Sequence, residues 1–423
     1  MSRFGMRRDR LGRSPIPPWG PAIAVLVTIA LAACTTTGSP SQLTPTSSPT
    51  SEALTPPTSS STSGSPSSVD PTGLRWVPGA MAGIAASTDP DPGLEFHLLG
   101  WSKGYVGFTS TFDKATGSEQ SIVVTASADG LTWKIAGRLD LGSDRQAITV
   151  TGLVEGPAGL IATAEPVGCS LHKPAVRMWR STDGASWTAV DLKGTFGADD
   201  LPSVSAGSAG YVVLGSTAKE RMLWTSRDGV AWHKTSIPSP SFGPQSVASS
   251  SVGFVVAGRT PAGPLDCGVT VGGPVIHYAG SAWSSTHGSS WTEVRLPDAL
   301  AGPDTTMWVD RLSDSTVMIS EVGDNMSIRR AWTSTDGLTW RRNDALAFPL
   351  GHPLTEGTRT IFIHETDQGA PELWMLGHDL GVVKLAAGDL PITPEDTLTA
   401  LGPAGLLVSD SAGATSWLGE LVR

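Results

Sequence analysis

Short apolar runs separated by glycine-containing turns recur along most of the chain, and long amphipathic helical patterns are missing. One kind of run begins directly after a glycine, as at residues 159–162, 210–215 and 253–258. Another run precedes it, as at residues 247–252, and a third follows it, as at residues 176–179. Runs of this length bounded by turn residues are typical of buried β-strands. The pattern therefore predicts an all-β domain.

A seven-residue phrase returns five times and follows the third kind of run. It consists of a serine, any residue, Asp or His, a glycine, two further residues and a tryptophan. The copies contain Ser127, Asp129 and Trp133; Ser181, Asp183 and Trp187; Ser226, Asp228 and Trp232; Ser285, His287 and Trp291; and Ser334, Asp336 and Trp340. Their spacing of about 45 to 60 residues is typical of β-propeller blades. With the strand that holds the tryptophan, each unit has four predicted strands, as a blade requires.

The phrase has the composition of a tight turn. Serine and aspartate side chains accept hydrogen bonds from nearby backbone N–H groups, and glycine adopts the positive φ that such a turn needs. The tryptophan that follows can bury its indole against the neighbouring blade. The phrase resembles the Asp-box, or BNR repeat, of sialidase-like β-propellers, although it is one residue shorter between aspartate and tryptophan. His287 replaces the aspartate in the fourth copy, so we expect that turn to be the weakest.

The two ends of the chain decide the number of blades. Residues 358–385 contain strands without the phrase, and residues 397–422 contain three strands, one short of a blade. Residues 72–76 match the second half of the phrase, so the N-terminal segment is predicted to supply the missing outer strand. Seven blades of about 50 residues then fill a propeller domain of residues 71–423, and six longer blades fit less well.

The N-terminus has the pattern of a targeting segment. Arginines precede an apolar stretch at residues 22–32 that is too short to span a bilayer. Residues 31–34, Leu-Ala-Ala-Cys, resemble the lipobox of bacterial lipoproteins, in which the cysteine receives a diacylglycerol. The resemblance implies a signal peptide at residues 1–33, lipidation of Cys34, and an extracytoplasmic protein that is lipid-anchored to the bacterial cell membrane. An ordinary signal peptide is the alternative, and the export route stays open.

Residues 34–70 are almost entirely Ser, Thr, Pro and Gly. Such a segment cannot bury enough apolar surface to offset its chain entropy. We therefore predict a disordered linker between the anchor and the propeller.

Charge and cysteine content limit the classes of partner. The chain carries a net charge of −10 and its domain has no basic run, which argues against nucleic acid. Cys169 and Cys267 form an even pair in an oxidising compartment and are a candidate disulfide. They lie in two long connections, residues 165–175 and 260–281, which we expect on the face opposite the repeated turns. Binding sites often use such loops.

Candidate catalytic residues do not assemble from the sequence. Resemblance to sialidases implies three arginines that hold the substrate carboxylate, a Tyr–Glu nucleophile pair and an aspartic acid/base. Tyr105 and Tyr211 begin second strands and are assigned to core packing, and Tyr278 is placed in a loop. The histidines lack paired metal-ligand spacing. We therefore expect no metal and no cofactor.

These observations favour a binding or scaffold lipoprotein, acting as a monomer, that presents a protein or glycan partner with a propeller surface. The alternative is an extracellular, sialidase-like glycoside hydrolase with a site at the channel mouth. A third class is an assembly factor, because the phrase also resembles those of propellers that help to build photosynthetic complexes. Two carboxylates about 5–10 Å apart would favour the hydrolase, and an apolar loop patch would favour a protein partner.

Overall fold

The computed structural model describes residues 73–79, 96–113, 118–141, 148–166, 177–192, 200–216, 221–261, 278–299, 301–302, 306–323, 328–347, 353–365, 371–377, 379–386, 397–410 and 416–422. The predicted signal peptide, the linker, Cys34, Cys169 and Cys267 lie outside these residues.

The described elements are β-strands and one short 3-10 helix. Strand β1 (Gly73–Gly79) is followed by β2 (Phe96–Trp101), β3 (Gly104–Asp113), β4 (Ser118–Ser127) and β5 (Lys134–Leu139) of blade 1, by β6 (Ile148–Gly156), β7 (Gly159–Pro166), β8 (Arg177–Ser181) and β9 (Thr188–Ala189) of blade 2, and by β10 (Asp200–Gly207), β11 (Gly210–Ser216), β12 (Arg221–Ser226) and β13 (His233–Thr235) of blade 3. Blade 4 contains β14 (Gly243–Ser250), β15 (Gly253–Pro261), β16 (Tyr278–Ser285), β17 (Thr292–Val294) and β18 (Ala301–Gly302), and blade 5 contains β19 (Thr306–Ser313), β20 (Thr316–Val322), β21 (Ile328–Ser334), β22 (Arg341–Arg342) and the 3-10 helix Asp344–Leu346. Blade 6 contains β23 (Leu354–Glu356), β24 (Arg359–Glu365), β25 (Pro371–Leu376) and β26 (Val382–Lys384), and blade 7 contains β27 (Thr397–Gly402), β28 (Gly405–Asp410) and β29 (Ser416–Val422).

The strands form seven antiparallel sheets, each with a path of four strands. In every blade the first strand contacts the first strands of the two adjacent blades, from β2 around to β27 and back to β2. The first strands therefore line a central channel, and the outermost strands lie at the rim. The protein is a seven-bladed β-propeller, as the sequence predicts.

Strand β1 completes blade 7. It pairs antiparallel with β29 over its whole length, with Trp76 opposite Gly419. The Arg75 guanidinium donates to the Glu420 carboxylate with an Nε–Oε2 distance of 3.1 Å. The backbone N–H of Leu74 donates to the carbonyl of Ala386 in blade 6 at 3.1 Å. The predicted closure by the N-terminal segment is confirmed, and it leaves blade 7 with no missing strand at the seam.

The hydrophobic core is divided among the interfaces between blades. Seven clusters of buried apolar residues each join two adjacent blades. Trp179, Trp224 and Trp332, on third strands, are almost completely buried. The indole N–H of Trp332 donates to the carbonyl of Pro297 at 2.7 Å, and that of Trp179 donates to the carbonyl of Asp140 at 3.1 Å. Trp179 and Trp332 therefore pack blades 2 and 5 against the preceding blades with their indole N–H groups satisfied.

Blade 4 differs from the sequence-based expectation. Tyr278 is the first residue of β16 and does not lie in a loop, so that assignment was wrong. The flanking glycines obscured the strand, whose start pairs with both Pro261 and Gly302. The guanidinium of Arg259 lies 4.2 Å from the centroid of the Tyr278 ring, a cation–π contact that supports this extended end of the blade.

Strand direction assigns each turn to one of two faces. Because adjacent strands are antiparallel, the turns after the first and third strands of a blade lie on the same face, which we call the turn face. The connections after the second and fourth strands lie on the opposite face. The five repeated phrases follow third strands and therefore lie on the turn face. No described element is a helix with the length and hydropathy needed to cross a bilayer.

Candidate functional site

Four of the five repeated phrases form the same hydrogen-bonded turn, and the first copy illustrates it. The Asp129 carboxylate oxygen Oδ1 accepts from the backbone N–H of Leu131 at 2.9 Å and of Thr132 at 2.7 Å. The Ser127 hydroxyl donates to the same oxygen at 2.9 Å and accepts from the N–H of Gly130 at 2.9 Å. The equivalent bonds occur in the turns of Asp183, Asp228 and Asp336. One carboxylate oxygen thus collects three donors in each of these turns.

These hydrogen bonds stabilise the ionised form of the aspartates. The backbone N–H groups of Ser186 and Ala185 lower the pKa of Asp183 to about 2. Those of Thr339 and Leu338 lower the pKa of Asp336 to about 2. The pKa values of Asp129 and Asp228 are lowered for the same reason.

Each repeat tryptophan connects its turn to the preceding blade. In the four aspartate turns the indole N–H donates to the carbonyl of the turn glycine at 3.1–3.2 Å. The ring of Trp187 meets Phe108 of blade 1 edge-on, with 5.1 Å between the ring centroids. Trp232 packs in a cluster with Ile161 and Met178 of blade 2. The turn glycine is equally constrained, because Gly229 has a φ of 69° and a Cβ there would lie 2.9 Å from Ile161.

The fourth turn has a different set of bonds. Ser285 Oγ accepts from the N–H of Gly288 at 2.8 Å, as in the other turns. The Nδ1 atom of His287 instead lies 3.4 Å from an Arg227 guanidinium nitrogen of blade 3. The indole N–H of Trp291 donates to the hydroxyl of Thr235 in blade 3 at 2.9 Å. The fourth turn is therefore tied to blade 3 and lacks the bonds that an aspartate makes within its own turn.

A cavity of about 520 Å³ occupies the turn-face end of the central channel. Its walls come from the ends of first strands and from the turns after them, in blades 1, 2, 3, 5, 6 and 7. Leucines and small residues form much of the wall, and the charged side chains are Glu155, Asp310, Arg311, Asp314 and Glu356. This combination of a concave apolar wall and a few convergent charged groups is typical of a ligand site.

Two of the carboxylates are held by serines of other blades. Glu155 in blade 2 accepts from the backbone N–H of Ser102 at 2.9 Å and also from its hydroxyl. Asp314 in blade 5 accepts from the N–H of Ser208 in blade 3 at 3.2 Å and from its hydroxyl at 3.0 Å. Asp314 thus reaches past blade 4. These contacts fix the turns around the cavity.

Glu356 is also engaged. It forms an ion pair with Arg359, whose guanidinium donates to the carbonyl of Gly402 in blade 7 at 2.8 Å. The Thr355 hydroxyl donates to the carbonyl of Arg311 at 2.8 Å and so joins blade 6 to blade 5.

Arg311 differs from these groups. Its guanidinium has no hydrogen bond or ion pair with the residues that the structure describes. Burial lowers the pKa of Arg311, while the nearby charges of Asp314 and Glu155 favour its protonated form. A guanidinium remains charged under all ordinary conditions and presents a planar fork of five donors. The cavity therefore contains a partly buried cation whose donors are available to a ligand.

The repeat residues and the tyrosines selected from the sequence do not line this cavity. Tyr105 and Tyr211 are buried, and their hydroxyls donate to the carbonyls of Gly405 and Gly159 in the preceding blades, each at 2.8 Å. Burial raises the pKa of both tyrosines to about 12. The cysteine-containing connections are only partly described, since β7 ends at Pro166 and β15 at Pro261. Within the described ranges, no group of three or more His, Cys, Asp or Glu side chains could hold a metal ion.

Sequence reasoning missed the cavity because its charged residues share no motif. Glu155, Asp314 and Glu356 each lie in, or within two residues of, a separate two-residue turn, where a charged residue is ordinary. Only the closure of the ring brings these turns together.

No protein-family model matches the chain, and no match was found among the curated proteins compared with it. Solved structures similar to it include virginiamycin B lyase from Staphylococcus aureus, with 10% identity over 82% of this chain and 100% of the lyase and a TM-score of 0.46. The fucose-binding lectin of Aleuria aurantia has 10% identity over 70% of this chain and 97% of the lectin, with a TM-score of 0.35. A sialidase mutant from Trypanosoma rangeli has 12% identity over 78% of this chain and 54% of the sialidase, with a TM-score of 0.36. Similarity at this level says nothing about ligand or substrate.

Proposed function

We propose that the protein is a membrane-anchored, extracytoplasmic binding lipoprotein whose propeller channel binds an acidic sugar residue of a glycan. The observation that carries the proposal is Arg311, a guanidinium without a partner among the described residues that lines a cavity of about 520 Å³. Cavities of this volume accommodate small ligands.

Arg311 and the polar groups near it support this choice of ligand. The fork of the Arg311 guanidinium matches a carboxylate, which can accept two parallel hydrogen bonds. The carboxylates of Glu155 and Glu356 and the hydroxyls of Ser102 and Ser208 offer acceptors at the same wall. An acidic sugar carries one carboxylate together with several hydroxyl donors, and so it complements both parts of this wall.

The engaged carboxylates favour binding over hydrolysis. A glycoside hydrolase needs one carboxyl group to transfer a proton and a second to act as nucleophile or base. Glu155 and Asp314 accept hydrogen bonds that join turns of different blades. Glu356 accepts from Arg359 of its own blade, whose guanidinium also donates to Gly402 of blade 7. Groups that hold the scaffold in this way are suited to fixing the shape of a binding site.

The proposed location rests on the N-terminal sequence. A lipobox-like Leu-Ala-Ala-Cys at residues 31–34 and a Ser/Thr/Pro-rich segment up to residue 70 would place the propeller outside the membrane. A glycan of the cell envelope or of another cell would then be accessible to the channel.

A glycan array that includes uronic and sialic acid residues tests the proposal. The probe is the compact unit Ser67–Arg423, which we call the soluble domain. We expect wild-type protein to bind acidic glycans, and we expect Arg311→Met to lose that binding because the carboxylate loses its partner. Arg342→Met is the matched control, since it removes the same charge from the exposed strand β22. It should bind like wild type.

Other outcomes contradict the proposal in different ways. Equal binding by Arg311→Met and wild type would mean that the binding site lies outside the channel. If the domain bound peptides of a peptide array and no glycan, its ligand would be a peptide and the glycan proposal would be wrong. Cleavage of array glycans by the wild-type protein would mean that the protein is a hydrolase and not a binding protein.

A further inference from the structure

In the fourth repeated turn, Ser285–Trp291, two backbone N–H groups lack the aspartate acceptor that the equivalent groups have in the other four turns, which we call its sister turns. In those turns an aspartate oxygen accepts from two successive backbone N–H groups and from the serine hydroxyl, at 2.6–3.1 Å. The equivalent amides of the fourth turn belong to Ser289 and Ser290. Within the described part of the chain neither amide has an acceptor, because His287 pairs with Arg227.

A cleft of about 530 Å³ opens beside this turn, between blades 3 and 4. His233, Lys234 and Thr235 of strand β13 line one side of it, and His287 and Ser289 line the other. Gly288 at the base has a φ of 76°, and a Cβ there would lie 2.6 Å from the Thr225 hydroxyl. The turn is therefore fixed against blade 3, while His233, Lys234, His287 and Ser289 remain exposed.

The charge of the cleft is opposite to that of the whole chain. Lys234 lines it and Arg227 contacts His287 at its edge, whereas the chain carries a net charge of −10. Asp228, next to Arg227, is engaged by the amides of its own turn at 2.8–2.9 Å. The cleft therefore combines unoccupied amide donors with cationic side chains.

We propose that this cleft is an oxyanion-binding site, in which a phosphate, sulfate or carboxylate group occupies the place that an aspartate carboxylate has in the sister turns. The sister turns show that the backbone of this phrase can place two N–H groups and one hydroxyl on a single anionic oxygen. Charge-assisted bonds to such amides are among the stronger hydrogen bonds in proteins. Arg227 and Lys234 would supply the balancing charge.

Calorimetric titration of the soluble domain with inorganic phosphate, sulfate and acetate tests this site, with chloride used to hold the ionic strength constant. We expect saturable binding of at least one of the three anions to wild type, and their relative affinities separate the three sources of the group. His287→Asp should weaken that binding by about tenfold or more, since its tethered carboxylate occupies the same donors.

Asp336→His is the matched control. This substitution removes the aspartate acceptor of the equivalent amides in blade 5. Because Arg227, His233 and Lys234 do not lie beside that turn, it should add no second binding site. Deuterium exchange gives an independent readout, because the bound anion should slow exchange at Ser289 and Ser290 in wild type only. Absence of saturable binding to wild type, or undiminished binding to a folded His287→Asp variant, would overturn the proposal. The exchange readout at Ser289 and Ser290 is independent of Arg311, and the calorimetric titrations are repeated in Arg311→Met so that the channel does not contribute to them.

Discussion

At the scale of single residues, each aspartate turn combines a local and a long-range function. Asp336 satisfies two amides of its own turn, and Trp340 packs against blade 4. The pattern of serine, aspartate, glycine and tryptophan could be recognised in the sequence because all of its bonds lie within seven residues. The indole bond from Trp291 to Thr235 could not, because its acceptor is in another blade.

Trp232 tests the contribution of the repeat tryptophans to stability. It is nearly buried, and its ring centroid lies 6.4 Å from that of Tyr211. Trp232→Ala should lower the free energy of unfolding by about 3–5 kcal/mol, since a large ring leaves a cavity. Trp232→Phe keeps most of the packing and loses the bond to Gly229, so it should cost clearly less. Chemical denaturation measures both, and equal losses would contradict the packing account.

The aspartate turns predict a specific acid sensitivity. The pKa of Asp183 and of Asp336 is about 2 in the folded protein, below the ordinary value of 3.8. A lowered pKa means that the stabilisation is complete above about pH 5 and is lost as the pH falls from about 4 to 2. Asp336→Asn keeps an acceptor oxygen but does not titrate, so its stability should fall less steeply over that range. Melting temperatures measured from pH 5 to 2 check this, and identical slopes would contradict it.

At the scale of elements, the N-terminal strand β1 depends on contacts with residues that are distant in the sequence. It pairs with β29 at the other end of the chain, and Leu74 packs in a cluster with Leu373 and Leu385 of blade 6. The Gly-Leu-Arg-Trp sequence at residues 73–76 was enough to predict this closure. Short strand β18 was not predictable, because two small residues carry no apolar pattern.

Deletion of residues 71–79 should destabilise the whole ring, since it removes a complete strand and exposes the edge of β29. Deletion of residues 35–65, in the predicted linker, should leave the melting temperature of the propeller nearly unchanged. Calorimetry of both truncations compares the two directly. Equal melting temperatures would contradict the role assigned to β1.

The two long connections carry the prediction of a disulfide between Cys169 and Cys267, which lie outside the described residues. A bridge would close a loop of about 100 residues and stabilise the domain by up to about 4–5 kcal/mol in the chain-entropy model. Mass spectrometry of unreduced, exported protein should find no alkylatable thiol at either cysteine. Two free thiols would exclude the bridge.

At the scale of the whole molecule, the channel is a product of ring closure. The hydroxyl of Ser246 accepts from the N–H of Val309 in the next blade at 3.2 Å, and Ser205 Oγ accepts from the N–H of Ser249 at 3.1 Å. Such bonds hold the first strands together around the cavity. Sequence periodicity predicts the ring and its blade number. It does not predict that Arg311 and Glu155, three blades apart, share one cavity, because no local pattern connects them.

The central claim is that Arg311 binds a carboxylate inside the channel. The most direct measurement is an NMR titration of the soluble domain with glucuronate and with glucose, which differs from it by lacking the carboxylate. We predict that wild type binds glucuronate at millimolar concentrations or below and binds glucose at least about tenfold more weakly. Arg311→Met should remove this preference, and Arg311→Lys should retain part of it. Equal binding of the two sugars by wild type, or an unchanged preference in Arg311→Met, would contradict the account.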